Sequence, residues 1–338
     1  MTGNPPLNGC TPTWAGHGNY PPRYGWLSKT YNELTADPAT FTRPDVTVRL
    51  GVGSSQVRAM RFWTTAFGLA APARGPHQTG LTPTGRGTWL LNLDTGADPY
   101  QEDPGTQWLL HWWLLSRDAC PTPTIHYLIA DAPLSTYRRV DAIAAVRRAA
   151  RRIGWTEPST DLVSRDLTAF LAMYAHEPNT AERGTPEGNR LLEDAAFNPW
   201  RSLHLVLRVP GQQDVFQINR HAGKTAPKHV LAYACLDHAA RTSGGHTHTA
   251  MSRLHTDSSG PGRVMLADHA TLYRALETTA ARLPELGLDI DDSAEGGPRL
   301  HWTGTASEAA QRILADYYDL PDGPPEPRTP RAEALFQI

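Results

Sequence analysis

The stretch VRLGVGSSQVRAMRFWTTAFG, residues 48–68, carries the pattern that decides our prediction of the fold. Upstream of it, Thr42 is suited to begin a short helix that ends at Leu50. The glycines at 51 and 53 then favour a tight turn, because glycine tolerates backbone angles that other residues avoid. Ser54 caps a second helix that continues to about residue 68. This order predicts a helix-turn-helix.

At 100° per residue, the second helix has two unlike faces. The apolar arc comprises Val57, Met60, Trp63, Thr64 and Phe67. The opposite side carries Ser54, Arg58, Arg61 and Thr65. Arginine suits phosphate because its planar guanidinium donates two parallel hydrogen bonds. We therefore expect the first arc to pack in a core and the second set of residues to contact DNA.

Residues 81–91 indicate that a wing follows this pair of helices. After a loop at 72–80, the string LTPTGR begins a last short element that ends in Trp89-Leu90-Leu91. The order of these elements is typical of a winged helix-turn-helix. It runs from a helix through a glycine turn to a helix with an arginine face, and then through a loop to a hydrophobic return. The alternative is a plain helical hairpin whose arginines are merely solvated.

The rest of the chain predicts a mainly α, α+β protein. Helical periodicity is clearest at 135–154, 159–176 and 268–283, while 203–218 and 286–302 favour hairpins. We expect five regions: a flexible arm at 1–22, a winged helix-turn-helix DNA-binding domain at 23–118, a central helical region at 119–200, a C-terminal α+β winged-helix-like domain at 201–320, and a disordered tail at 321–338.

Composition narrows the class of protein. The 338 residues have a net charge of −2, so total charge does not indicate nucleic acid. Cys10, Cys120 and Cys235 are odd in number and widely spaced, which predicts neither a disulfide framework nor a metal-binding pair. Residues 1–13 lack a signal-peptide pattern, and the longest apolar stretch, 108–115, is too short to span a bilayer. We expect a cytoplasmic protein without membrane association.

Three groups of residues have the chemistry for metal binding or catalysis. The first is the acidic string from Asp98 to Asp103, where carboxylates at a loop–helix junction can hold Mg²⁺ or Mn²⁺. In it, Glu102 and Asp103 are the candidate metal-facing catalytic pair, although Asp103 followed by proline is equally typical of a helix cap. Asp166 is a possible third catalytic acid. Its alternative is a structural role beside Asp161 and Arg165.

The remaining candidates are histidines. His246 and His248 have a metal-ligand spacing, with His255 and Asp257 nearby, but a glycine-flanked polar loop explains them equally well. His111 lies in the tryptophan-rich helix and is more typical of a core histidine. No phosphate-binding loop, dinucleotide fingerprint, serine hydrolase elbow or zinc-finger pattern is present, so no organic cofactor is expected.

Several short sequence motifs resemble those of a bacterial protein family that acts in DNA phosphorothioation. They are RYGWL at 23–27 with Lys29, VRLGVG at 48–53, RFW at 61–63, DPYQEDPGTQWLLHW at 98–112 and PGRV at 261–264. Their order and spacing, over residues 14–302, are similar to those of the SspB-type nickase family of single-strand phosphorothioation systems. The string at 98–112 is the most specific of them.

The resemblance implies a DNA-nicking endonuclease in antiphage defence. Its partners would be double-stranded DNA, a cysteine desulfurase, a sulfurtransferase-like enzyme and an ATPase. Additional DNA contacts are expected from Arg23, Lys29, Arg148, Arg152, Lys224 and Lys228. For Arg148 and Arg152 the other interpretation is a solvated helix face. Ser28 stands where the family suggests a second lysine, and the stretch around Lys224 is less basic than expected. The alternatives are a non-catalytic DNA-binding adaptor and a winged-helix regulator.

Overall fold

The computed structural model describes residues 5–73, 80–176, 198–212 and 214–326. The helices are α1 (Trp26–Ala36), α2 (Val46–Leu50), α3 (Ser54–Ala66), α4 (Gly85–Leu91), α5 (Pro104–Leu115), α6 (Pro123–His126), α7 (Arg139–Arg152), α8 (Thr160–Tyr174), α9 (Lys228–Thr242), α10 (Met251–Thr256), α11 (Pro261–Val264), α12 (His269–Arg282) and α13 (Ala306–Tyr317). The strands are β1 (Ala70–Pro72), β2 (Leu81–Pro83), β3 (Thr136–Arg138), β4 (Ala175–His176), β5 (Val206–Arg208), β6 (Val215–Ile218), β7 (His248–Ala250), β8 (Asp289–Asp291) and β9 (Arg299–His301). The chain is thus helix-rich with small sheets, and the predicted mainly α, α+β class is confirmed.

The decisive stretch folds into α2, a tight turn and α3. Gly51 has a φ of 61°, the left-handed conformation that glycine accepts without strain. Gly53, rather than Ser54, stands at the N-cap, and Ser54 is the first helical residue. An antiparallel hairpin of β1 and β2 follows. Residues 89–91 belong to helix α4, not to a short hydrophobic return, so the winged-helix identification stays a prediction.

One continuous hydrophobic core extends from Leu7 to Leu314. Helix α5 lies inside it: every residue from Gly105 to Leu115 is buried, which confirms the predicted core position of Trp108, Leu109 and Trp112. His111 is also a core residue, hydrogen-bonded to the Tyr174 hydroxyl and the Val264 carbonyl. Burial lowers its pKa to about 4. The predicted boundaries at 118 and 200 do not coincide with a break in this core.

Two small sheets cover the central and C-terminal parts. Their strand orders are β3-β6-β5-β4 and β7-β9-β8. Both predicted hairpins are present, as β5–β6 and β8–β9. The helix predicted from Ser135 begins only at Arg139, because residues 136–138 pair with β6. The segment 120–136 contains α6 and a π-helical turn at Tyr127–Asp131.

The described parts of the arm and the tail are packed, contrary to the sequence prediction. Leu7 is fully buried, and its backbone N–H donates to the Asp131 carboxylate at 2.8 Å. At the other end, the Trp89 indole donates to the Asp322 carbonyl at 2.8 Å. Residues 1–4 and 327–338 lie outside the described residues. Among the helices that the structure describes, none has the length and apolar character to cross a membrane.

Candidate nucleic-acid interface and acidic sites

The cationic face of α3 is exposed as the periodicity predicts. Arg58 and Arg61 are solvent-exposed, as is Ser54 at the start of the helix. Neither arginine makes an ion pair within the part of the chain that the structure describes. The opposite face is held from inside, where the Trp63 indole donates to the Tyr20 carbonyl at 2.9 Å. Helix α3 therefore presents two free guanidinium groups from a rigid support.

Thr65 does not belong to this exposed face. It is 6% exposed, and its hydroxyl donates to the carbonyl oxygen of Phe62 at 2.8 Å. Arg117 covers this end of the helix by donating to the carbonyls of Thr65 and Ala66, both at 2.8 Å. Thr65 thus differs from Arg58 and Arg61 in being buried, and its expected contact with DNA stays a prediction.

The start of α1 lies beside the turn between α2 and α3. Lys29 is exposed, and its ammonium stands 3.4 Å from where a Cβ on Gly51 would lie. Arg49 of α2 pairs with Glu33 of α1 at 2.7 Å, which fixes the two helices together. Arg23 lies 5.7 Å from the ring centre of Trp26. A third cationic side chain, Lys29, thus lies near the start of α3.

The other predicted DNA contacts are less uniform. Arg148 and Arg152 are exposed on α7, whereas their neighbours Arg147 and Arg151 pair with Glu157. Lys224 is 3.4 Å from the Asp268 carboxylate. Lys228 donates to the Thr278 hydroxyl at 3.2 Å. The two lysines therefore already have local partners, while Arg148 and Arg152 have no ion pair among the described residues.

The acidic loop is organised by Asp98. This residue is 9% exposed and accepts hydrogen bonds from the backbone of Glu102 and Asp103, both at 3.0 Å, and from the Thr106 hydroxyl at 2.6 Å. Ser28 anchors the loop to α1, because its hydroxyl donates to the Pro99 carbonyl at 2.5 Å. The residue that replaces an expected lysine is thus buried and structural.

The two predicted metal-facing acids differ in their surroundings. Asp103 caps α5 by accepting from the Gly105 N–H at 2.6 Å, and the same oxygen accepts from the Tyr317 hydroxyl at 2.7 Å. Burial raises the pKa of Tyr317, and the bond to Asp103 adds to that effect. Glu102 is exposed, and its carboxylate accepts no hydrogen bond from the described residues.

Asp166 occupies a different, interior site. It is 4% exposed and accepts hydrogen bonds from the Ala15 N–H and the Thr124 hydroxyl, both at 2.8 Å. His17 Nε2 lies 3.2 Å from the same carboxylate, and the His17 ring stacks on Trp63. The small pocket around them has no room for a water-sized molecule. Asp166 is therefore an internal hydrogen-bond acceptor in this structure, and its role as a third catalytic acid stays a prediction.

No metal centre is preformed in the described ranges. Among those residues, no three histidine, cysteine, aspartate or glutamate side chains stand close enough to hold an ion together. His246 and His248 have rings 5.5 Å apart, and His248 stacks on His301 at the same distance. His255 instead lies near His269. The histidine spacing in the sequence therefore does not assemble into the four-residue group that it suggested.

Sequence reasoning missed the pair formed by His17 and Asp166, and the pair formed by Cys10 and Cys120. The two cysteines occupy neighbouring positions in a parallel backbone bridge, although 110 positions separate them in the sequence. Both His17 and Cys10 belong to a segment rich in proline and glycine, where no periodic pattern indicates burial. Only the position of their partners in the fold reveals them.

Known proteins match this chain over most of its length. A family model described as "Protein of unknown function (DUF4007)" matches residues 14–318. Two solved structures are similar, a crystal structure of magnesium ion-bound SspB and a crystal structure of SspB. Each is 31% identical in sequence, with a TM-score of 0.82, and the match covers 96% of this chain and 93% of that chain. A search of curated proteins gives no significant match.

Proposed function

The chain belongs to the DUF4007 family, and we propose that it acts in DNA phosphorothioation as a DNA-binding protein that nicks one strand. The resemblance to the SspB-type family is confirmed by the two SspB structures, and this supports a role in the same modification system. The observation that carries DNA binding is the exposed pair Arg58 and Arg61 on α3, opposite a buried face.

A phosphate backbone would be attracted to this face for a simple reason. Cations that neutralise phosphates release condensed counterions, and this release provides sequence-independent affinity. Arg58 and Arg61 can bind phosphate without breaking an ion pair to another described residue. The favourable free energy of binding is therefore not offset by the loss of such a pair. Lys29, beside the turn that begins α3, extends the same positive surface.

The test of DNA binding is a double substitution with a matched control. We expect Arg58→Ala with Arg61→Ala to weaken binding and to reduce the slope of log K against log salt by about 2. Arg274→Ala with Arg312→Ala removes two exposed helical arginines elsewhere and has the same effect on net charge. Fluorescence anisotropy with a DNA duplex at several salt concentrations measures both. Equal slopes in the two double variants would contradict the assignment.

The nicking step is proposed for the acidic loop. Mg²⁺ commonly uses only one or two protein carboxylates together with water and substrate phosphates. The exposed Glu102 and the second oxygen of Asp103, which accepts no hydrogen bond from the described residues, fit such a demand. When bound, the cation would polarise a phosphate oxygen. The magnesium ion-bound SspB structure supports a divalent cation in this family.

Contacts of neighbouring residues support a position of these acids near the positive surface. Ser28 ties the loop to the first turn of α1, and the next residue, Lys29, lies next to the turn before α3. DNA bound along α3 would therefore run near the loop that carries Glu102. We propose that the cysteine desulfurase, the sulfurtransferase-like enzyme and the ATPase of the system then act at the opened strand.

A DNA-binding adaptor without catalysis is the second candidate. It is favoured by the lack of three gathered metal ligands in the described residues and by the capping role of Asp103. Supercoiled plasmid incubated with purified protein, with Mg²⁺ or with a chelator, separates the two. Metal-dependent open-circle product supports the nickase. Salt-sensitive binding without any open-circle product would support the adaptor and remove the nicking proposal.

A further inference from the structure

Cys10 and Cys120 are brought together by backbone pairing. The N–H of Cys120 donates to the Gly9 carbonyl at 2.8 Å, and the N–H of Thr11 donates to the Cys120 carbonyl at 2.9 Å. These two bonds hold the cysteines as direct neighbours in a parallel bridge. Each thiol affects the pKa of the other, as expected for side chains of directly paired residues. The arm and the segment after α5 are thus joined at two facing sulfur atoms.

The backbone spacing suits a disulfide. Paired strands lie about 4.8 Å apart, which falls inside the range of about 4.4–6.8 Å between the Cα atoms of bridged cysteines. Side chains of directly paired residues also extend to the same side of the strands. The backbone spacing of the two segments therefore allows a bond between the two sulfur atoms. Both cysteines are free thiols in this structure.

The surroundings favour reaction at Cys120. Although burial opposes ionisation, the neighbouring Cys10 thiol and the charge of His126 lower the pKa of the Cys120 thiol. The Thr122 hydroxyl is 3.4 Å from the same sulfur. His126 is held by Asp131, whose carboxylate lies 3.2 Å from its ring. Cys10 is partly exposed, whereas Cys120 and Cys235 are buried.

We propose that Cys10 and Cys120 are an oxidative modification site, at which a peroxide forms a reversible disulfide that clamps the N-terminal arm to the core. The Cys120 thiolate attacks one oxygen of hydrogen peroxide, the O–O bond breaks, and hydroxide leaves and takes up a proton to become water. The sulfur of Cys10 then attacks the resulting sulfenic acid. The S–O bond breaks and the Cys10 proton leaves with the oxygen as a second water. Two thiols and one peroxide thus give one disulfide and two waters.

A bond at Cys10 would affect α3, because the arm packs against the buried face of this helix. His17 stacks on Trp63 with ring centres 5.0 Å apart, and the Tyr20 carbonyl accepts from the same indole. A bond at Cys10 closes a loop of about 110 residues and restricts the unfolded chain, so it should stabilise the folded protein. The inference does not depend on the proposed nicking, since it concerns only these two thiols.

The experiment compares the full-length protein with Cys10→Ser and with Cys235→Ala as the matched control. After hydrogen peroxide, we expect wild type to lose two of its three free thiols. Cys235→Ala should lose both of its thiols, and non-reducing peptide mapping should find Cys10 linked to Cys120. The melting temperature should rise by about 5 °C in these two proteins and return with dithiothreitol. Cys10→Ser should show no rise, and dimedone should label its Cys120.

Several results would overturn the proposal. Retention of all three thiols in wild type would show that the pair is inert. A linkage through Cys235 or between two molecules would show that other cysteines react first. A Cys10–Cys120 bond that leaves the melting temperature unchanged would show that the bond does not stabilise the folded protein. It would therefore contradict the proposed stabilisation of the arm.

Discussion

The pocket around Asp166 and the loop around Glu102 both contain a carboxylate, but they use it in opposite ways. Asp166 is almost fully buried and accepts hydrogen bonds from Ala15 and Thr124, with His17 in contact. Glu102 faces solvent, and its side chain has no partner among the described residues. A buried acid needs such donors because losing its hydration is costly. An exposed acid without donors remains free to bind a cation.

Two further acids lie between these extremes. Asp98 accepts three hydrogen bonds within its loop, and Asp103 accepts two at the start of α5. If internal hydrogen bonds determine whether an acid is structural, the cost of removing each carboxylate should fall in the order Asp166, Asp98, Asp103, Glu102. The four predictions below test that order.

Asp166→Ala should give the largest loss of stability, about 3–5 kcal/mol, because it leaves buried donors without an acceptor and breaks a buried pair. Urea denaturation measures the change. Asp161→Ala on the same helix is the control: Asp161 is exposed and forms a surface pair with Arg165, so about 0.5 kcal/mol or less is expected. Similar losses in the two variants would contradict the structural role of Asp166.

Asp98→Ala should cost about 2–3 kcal/mol, since the backbone donors of Glu102 and Asp103 lose their acceptor in a partly buried loop. Hydrogen exchange should locate the effect, with faster exchange at these two amides and little change in α8. If the protection of both amides is retained, Asp98 does not organise the loop.

Asp103→Ala should cost about 1 kcal/mol through the loss of the cap of α5. Asp103→Asn keeps a good capping residue and removes the charge, so its stability should stay near wild type. The pair separates capping from metal binding. Nicking that survives in the asparagine variant would exclude Asp103 as a metal ligand.

Glu102→Gln should have the smallest effect on stability, within about 0.5 kcal/mol. It should bind DNA at least as well as wild type, because one negative charge is removed near the phosphates, and it should lose metal-dependent nicking. The plasmid assay and anisotropy measure the two properties on the same preparation. A variant that nicks at the wild-type rate would exclude this loop as the catalytic site.

Local sequence signals predicted the helices α8 and α12 together with their starts. Ser159 and Asp268 cap α8 and α12 through hydrogen bonds to the backbone three residues later, as their residue types suggest. Strand β3 could not be predicted in this way, because its three residues are specified by β6, almost 80 positions later. A short element that depends on a distant partner has no periodic signal of its own.

The candidate sites show the same division. The burial of Trp63 and the exposure of Arg58 follow from helical periodicity alone. Thr65 falls on the predicted exposed arc, but Arg117 reaches that end of the helix from outside it. Likewise, the partners of Asp166 come from the arm and from the segment that contains Thr124, so its role as an internal acceptor depends on tertiary contacts.

The docking of the arm has a consequence for the synthesis of the chain. Leu7 donates to Asp131, and the Ser258 hydroxyl donates to the same carboxylate. A ribosome that adds about 5–20 residues per second releases Leu7 roughly 10–50 s before it has added Ser258. During this interval the Asp131 carboxylate that accepts from Leu7 lacks the second donor, Ser258. The hydrogen bonds around Asp131 are therefore completed only after most of the described chain has been synthesised.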